Sequence, residues 1–457
     1  MKISILTVFP ELHVPFLTHS LIARAVEKGL LEYSLIRFSD MCQPKERIDE
    51  PTCGHGVGMI IKPEVIERAI ETAEAKWGKG FKIFFSPQGT TLTQKKVQAL
   101  AQRFFGDEQA EIAQPREVIN DTHIILVCSR YEGVDARVEA FYADLILSIG
   151  DYVLMGGDIP AQVLLEGLLR YLPGVVGKQE SVVNDSFTGP LLDYPEYGLP
   201  VQWQGLEIPE VVRSGNHKQL DQWRHEQALN KTLLHRFDWF RSQPLTGDDK
   251  STALKSIPPH YLVLMHADVY IKADGSKTKG TTSIASIDIH DVARSCATYG
   301  IKKFFLVSLL DDQQTILQTF LEFWMSNSGR KYNETRFQAL KSLVPTRTFD
   351  DVMQHIEAIE GVKPVIVTTS AKDYEHKQLI DFTSQGTVWG SGRPVLFVFG
   401  TGQGLCDELI ERSDFILMPV KGLTGYNHLS VRAATGIILD RWLGLNETRL
   451  RLPGDSE

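Results

Sequence analysis

No run in the chain of 457 residues reaches the roughly 18 to 20 consecutive apolar residues that a membrane-spanning helix needs. The apolar opening, Met1 to Val8, is broken by Pro10, Glu11, His13 and Pro15 and meets no small-residue cleavage site. Neither a membrane partner nor a secretory leader is therefore expected, and the location this implies is the cytoplasm. Cysteine is sparse: Cys42, Cys53, Cys128, Cys296 and Cys406 form no CxxC pair, which argues against a zinc site and against a disulfide framework. Positive charge is in deficit too, with a formal net charge of −9, and this counts against phosphate binding over the whole surface. Also missing is a glycine fingerprint after the first apolar run. FPELHVPF stands where a Rossmann domain places G-x-G-x-x-G, so an ordinary dinucleotide or Rossmann methyltransferase site is disfavoured.

What is present fits a soluble globular protein, with 43% hydrophobic and 23% charged residues, and the length favours two domains. Through residues 1–172 short β-rich runs alternate with helical patterns, which points to α/β domains with parallel sheets. Strands are predicted at Lys2 to Val8, Tyr33 to Phe38, Lys82 to Ser86, His123 to Ser129 and Asp144 to Ile149. A helix is predicted at Asp158 to Tyr171, with Asp158 as its cap. Residues 173–241 read as a long functional loop followed by a helical segment. Arg213, His217, Lys218, Arg224, His225 and Lys231 are interleaved there with Trp223, Phe237 and Trp239, either an RNA-contacting face or a solvated amphipathic helix. Residues 242–259 lack periodicity and read as a linker. A second α/β series fills 260–445, and 446–457 is a tail.

Glycines gather at later strand ends, in CGHGVGM (Cys53 to Met59), SPQGTTL (Ser86 to Leu92), SRYEGVD (Ser129 to Asp135) and SIGDYVLMGGDIPA (Ser148 to Ala161). Each alone is only a turn. In open α/β sheets, however, ligands sit beyond the carboxyl ends of strands, so converging loops would wall a pocket with backbone groups. Taken in order with RYLPGVVG (Arg170 to Gly177), DSF (Asp185 to Phe187) and SGNH (Ser214 to His217), the last three of these segments, with SPQG, RYEG and SIGDYVLMGG within them, resemble the tRNA (guanine-N1)-methyltransferase family over nearly all of residues 1–240, whereas CGHGVGM departs from it.

That resemblance implies a SPOUT fold with a trefoil knot, S-adenosylmethionine as cofactor, tRNA as substrate, an obligate homodimer with active sites between subunits, and Mg²⁺ dependence, although no metal-ligand spacing is visible. It assigns the cofactor loops to Ser86, Pro87, Gln88 and Gly89, to Ser129, Tyr131 and Glu132, and to Ile149, Gly150, Asp151, Tyr152, Val153 and Leu154 with Gly156 and Gly157. Ser129 replaces the usual glycine. Guanine N1 carries a proton that must leave before alkylation, so a general base is required, and Asp185 matches the family's base. Deprotonation pushes charge to O6, where Arg170 matches the stabilising cation. On residue type alone, Asp185 also suits a loop cap and Arg170 a helix C-terminus. Glu132, Asn216, His217 and Arg224 are the substrate-side candidates, with a loop-shaping role open for Glu132 and a helix-start role open for His217. His55 and Val57 enlarge a normally small stretch, and Gly106 to Asp121 is an unusual insertion. A tRNA-binding or scaffold protein that has lost turnover is the rival reading.

In the second half, FGTGQGL (Phe399 to Leu405) comes too late in its domain for a dinucleotide fingerprint. With NHLSVRAATG it resembles the closing element of SPOUT RNA methyltransferases, implying a second SPOUT domain of unknown substrate. Gly400, Gly402, Leu417 and Leu423 are its cofactor candidates. Asn427, Ser430 and Arg432 are open between catalysis and helix packing.

Overall fold

The computed structural model describes residues 1–54, 56, 58–106, 123–176, 185–374 and 378–446. His55, Val57, the body of the 106–121 insertion and the tail beyond Asn446 lie outside them. The chain divides into two compact units, Met1–Gly189 and Pro190–Glu457.

The first unit is built on a five-stranded sheet ordered Glu32–Arg37, Lys2–Thr7, His123–Val127, Phe81–Thr91, Leu145–Ser148, parallel at every junction. The central strand HIILV is buried along its length, as expected when helices cover both faces of a parallel sheet. Pro63–Trp77 covers one face with Val65, Ile66, Ala69, Ile70 and Ala73, and Pro63 starts it where a missing N–H does no harm. Asp158–Leu169 covers the other with Ala161, Leu164, Leu165, Leu168 and Leu169. Truncating a fully buried leucine such as Leu165 to alanine would cost about 2–5 kcal/mol.

Strand Phe81–Thr91 runs longer than the predicted Lys82 to Ser86 because it leaves the ladder and returns. Leu147 faces Phe85 before the break and Thr90 after it, so Ser86–Gly89 bulge out of the sheet with their backbone groups released from the ladder.

In the second unit seven parallel strands are ordered Leu343–Thr346, Lys303–Val307, His260–Met265, Val395–Gly400, Val365–Thr369, Phe415–Leu417, Leu379–Ile380. The inner five repeat the strand permutation of the first unit, and the two extra strands sit at the edges. Pro345 stands on one edge strand, where its missing donor is tolerated. Two units of parallel-sheet α/β architecture match the SPOUT-type fold class that the resemblance implies.

Residues 242–259 are not an unstructured linker. Gly247–Ser256 is a helix started by a capping box between Thr246 and Asp249, and Ala253 is buried in the second unit's core. Two adjacent apolar residues, Ala253 and Leu254, of which only Ala253 is buried, make too weak a period to read. The segment placed between the domains, 173–241, is divided between the units, residues 190–241 belonging to the second. Among the described residues no helix is long and apolar enough to cross a membrane.

Candidate functional site

Three loops at the carboxyl ends of the first unit's strands meet around a cleft of about 450 Å³. Ser86, Pro87 and Gln88 come from the bulge, Ser129, Tyr131 and Glu132 from the loop after the central strand, and Ile149, Gly150, Tyr152, Val153, Leu154, Gly156 and Gly157 from the loop after the edge strand. Gly89 and Asp151 do not line it. Gly89 instead turns the bulge back toward the ladder: a methyl group on its α-carbon would lie 2.7 Å from the Ile146 carbonyl, so only glycine fits. Asp151 points to solvent. Ser129 takes part through its backbone, its carbonyl accepting from Gly157 N at 2.8 Å, which explains why a small side chain is accommodated. Glu132 is exposed rather than a buried, paired carboxylate, and its amide donates to Met59 O at 3.0 Å, tying the loop to the CGHGVGM segment.

Glu139 also lines the cleft without having been singled out, and so does Arg130, which lies within the SRYEGVD loop. Arg130 is fixed from below. Its Nε donates to Asp158 Oδ2 at 2.8 Å, and the other carboxylate oxygen takes His13 Nε2 at 3.0 Å and the Thr7 hydroxyl. Asp158 is therefore a buried hub and not the helix cap predicted for it; Gly157 holds the cap position. Burial alone would raise its carboxyl, but the bonds from His13 and Thr7 and the Arg130 charge outweigh that and hold it below the usual carboxylate range. Glu139 accepts from Gln88 Nε2 at 2.8 Å, and burial keeps its carboxyl above the ordinary value.

Arg170 and Asp185 are ion-paired to each other, both partly exposed. Neither lines the cleft of its own chain. Helix Asp158–Leu169 begins at the cleft and Arg170 caps its far end, and 12 residues at about 1.5 Å each set the two ends roughly 18 Å apart. Asp185 sits in a turn closed by Phe187 in the left-handed region and by Thr188 donating to the Asp185 carbonyl at 2.6 Å.

In the second unit, Asn216 caps helix His217–His235 by accepting from Gln219 N at 3.2 Å. His217 is exposed at its start. Arg224 lies over the Tyr194 ring at 4.6 Å, and Lys231 Nζ donates to Asp193 O at 3.1 Å, so the loop after Asp185 is strapped along this helix.

A larger cavity, about 810 Å³, opens at the strand ends of the second unit. Gly400 and Gly402 line it, as do Asn427 and Ser430. Leu417 and Leu423 do not: Leu417 is buried in the sheet core, and the Leu423 side chain stands fully in solvent. A strand residue that alternates inward, and a loop tip, are hard to tell from a pocket wall without register. His266, Thr282 and residues 369–372 were missed, although each lies at a strand end or just beyond one. Arg432 pairs with Asp288 at 3.0 Å, and Asp288 is itself on the cavity wall.

Among the described residues, the one set of three metal-ligating side chains with donor atoms within 4.8 Å of each other is His13, Cys128 and Asp158. Arg130 already neutralises that carboxylate, and burial holds the Cys128 thiol far up its scale. The set does not fit Mg²⁺, which demands an octahedral oxygen shell.

Residues 1–105 and 107–242 match the family described as tRNA (guanine-1)-methyltransferase, and residues 259–444 match the family described as SAM-dependent RNA methyltransferase. The chain is similar throughout its length to a tRNA (guanine-N(1)-)-methyltransferase of Nitratidesulfovibrio vulgaris, 36% identical over 97% of this chain and 99% of the relative. One from Oleidesulfovibrio alaskensis is 33% identical with the same coverage. A shorter enzyme of that name from Geobacillus kaustophilus is 37% identical, covering 55% of this chain and 96% of its own.

Proposed function

Because the chain belongs to the tRNA (guanine-N1)-methyltransferase family, we propose that its first unit methylates guanine N1 in tRNA at the guanosine 3′ of the anticodon, position 37, in the cytoplasm and as a homodimer. The observation that carries the reading is the Arg170–Asp185 pair, which presents a hydrogen-bond donor beside an acceptor. Guanine offers the complement on adjacent atoms: N1–H donates and O6 accepts. Guanine entering this pair gives its N1 proton to the Asp185 carboxylate while the Arg170 guanidinium turns to O6, where the negative charge collects.

S-adenosylmethionine supplies the methyl group when bound, and the residues present fit it. The bulge at Ser86–Gln88 and the turns at Ser129–Glu132 and Ile149–Leu154 wall a nucleoside-sized cleft with backbone groups, beside the Tyr131 and Tyr152 rings. Since Arg170 stands about 18 Å of helix away from that cleft, the pair serves the cleft of a second copy. Exposed apolar side chains at Val153, Met155, Ile159 and Val163, on the loop and helix beside the cleft, give two copies a face to bury. Asn216, His217 and Arg224 mark the helix that meets tRNA. In the second unit the 810 Å³ cavity holds a second S-adenosylmethionine for an RNA of unassigned identity, with Gly400 and Gly402 in its wall.

Incubating the purified chain with S-adenosylmethionine and tRNA carrying that guanosine yields 1-methylguanine on nucleoside mass spectrometry. A dimer with bound cofactor that forms none refutes the assignment. Calorimetry on the full chain finds two cofactor equivalents per chain if both cavities are methyl-donor sites, and one if the second is not.

A further inference from the structure

We infer that the second unit also serves the first unit's reaction: it is the foundation that holds the tRNA-engaging helix His217–His235, so that the tRNA methylated at guanine N1 is bound through it. The inference rests on the reading that this helix meets tRNA.

The match to the guanine methyltransferase family runs to residue 242, yet the chain from Pro190 onward folds with the second unit. Helix His217–His235 turns Ala228, Leu229, Thr232 and Leu233 inward, and Leu229 and Leu233 enter the same core as Trp389 and Trp442. Phe237 continues the seam, edge-on to Trp389 with centroids 5.0 Å apart. The Arg241 guanidinium then donates to the carbonyls of Arg441 at 2.6 Å and Asp440 at 2.8 Å, closing the end of helix Val431–Leu443. The outward face carries Lys218, His225 and Lys231 in solvent. Helices in proteins draw most of their stability from tertiary packing of one face rather than from propensity, so the position of these cations depends on the packed face beneath them. The substrate loop depends on it too: the amide of Leu192 donates to the buried Thr232 hydroxyl at 2.8 Å.

Gly386 provides a lever within the second unit. A side-chain carbon there would fall inside the contact radius of the Leu234 backbone carbonyl, which cannot swing aside, so helix His217–His235 must shift as a body. In the full chain, Gly386→Ala and the bulkier Gly386→Val are expected to raise KM for tRNA by about tenfold or more, as small displacements of positioning elements do. Cofactor affinity at the first cleft and kcat stay close to wild type, whereas mere loss of folded protein would lower kcat and leave KM alone. Lys218→Glu is the companion, and it should also raise KM. Amide exchange over 217–235 reports whether the helix has loosened. If Lys218→Glu raises KM while Gly386 variants with a loosened helix keep the wild-type value, the inference is overturned. If Lys218→Glu changes nothing, the tRNA reading of the helix fails, and the inference with it.

Discussion

Arg170 donates a hydrogen bond to the carboxylate of Asp185, 15 residues along the chain, so the proposed base and the proposed O6 cation hold each other before any guanine arrives. The pair is partly exposed and contributes little to stability. Its value lies in keeping donor and acceptor side by side.

Asp185→Asn keeps the shape and removes the basicity, so kcat should fall by about 10²–10⁴ while cofactor affinity stays put. Arg170→Ala should lower kcat by about 10²–10³ through loss of charge stabilisation at O6. Single-turnover methylation with excess enzyme separates these from binding defects. An Asp185→Asn protein with normal kcat would remove the carboxylate from the chemistry.

If the pair of one copy serves the cleft of another, two differently broken subunits should repair each other. Asp185→Asn chains mixed with Gly89→Ala chains, allowed to exchange subunits and assayed at a cofactor concentration well below the weakened affinity of the Gly89→Ala cleft, should methylate faster than either parent alone, at a fraction of wild type. Gly89→Ala itself forces a methyl group toward the Ile146 backbone at 2.7 Å, an overpacking of about 1–3 kcal/mol, and should weaken cofactor binding about tenfold. Calorimetry measures the second claim, and activity of the mixture against each parent measures the first.

Much of this was legible from residue order. Short apolar runs marked the five strands of the first unit's sheet and the inner five of the second's to within a few residues at most ends, but not the edge strands Leu343–Thr346 and Leu379–Ile380; the glycine-bearing turns lie around the two cavities. What escaped is long-range. The return of strand Phe81–Thr91 to the ladder depends on the neighbour it rejoins, not on its own residues. The role of Asp158 was hidden because its partners, Thr7 and His13, lie about 150 residues away and a carboxylate opening a helix looks like a cap. Leu417 shows the same limit: only register tells a core-facing residue from a cavity wall.

Asp158 yields a stability prediction with a definite sign. Asp158→Asn leaves the Arg130 charge half-sheltered without its counter-ion and should destabilise the first unit by about 3–5 kcal/mol near neutral pH. Its folded carboxyl lies below the ordinary value, so the stabilisation is present above about pH 4, the value in the unfolded chain, and is lost as pH falls through the lower folded value. Urea unfolding curves of wild type and variant should therefore converge in strong acid. A constant gap down to pH 2 would show that the lost contact is not ionic.

His260 makes the second unit acid-sensitive in a higher window. Its Nε2 accepts from both Trp389 Nε1 at 3.1 Å and Trp442 Nε1 at 3.2 Å, so a proton on that nitrogen displaces two indole donors at once. Burial brings the imidazole down to about 4, and the same cause brings His266 to about 4. For a base lowered on folding, the unfolded chain binds more protons between the two values. Stability is thus complete above about pH 6.5 and drains as pH falls toward 4. At about 1.4 kcal/mol per tenfold change in proton affinity, each histidine accounts for ~3 kcal/mol by the bottom of that window. His260→Gln retains an acceptor for the indoles and takes up no proton. Its unfolding free energy, followed by tryptophan fluorescence, should depend less steeply on pH between 6.5 and 4 than that of wild type. Equal slopes for the two proteins would mean that the buried imidazole is not what acid attacks.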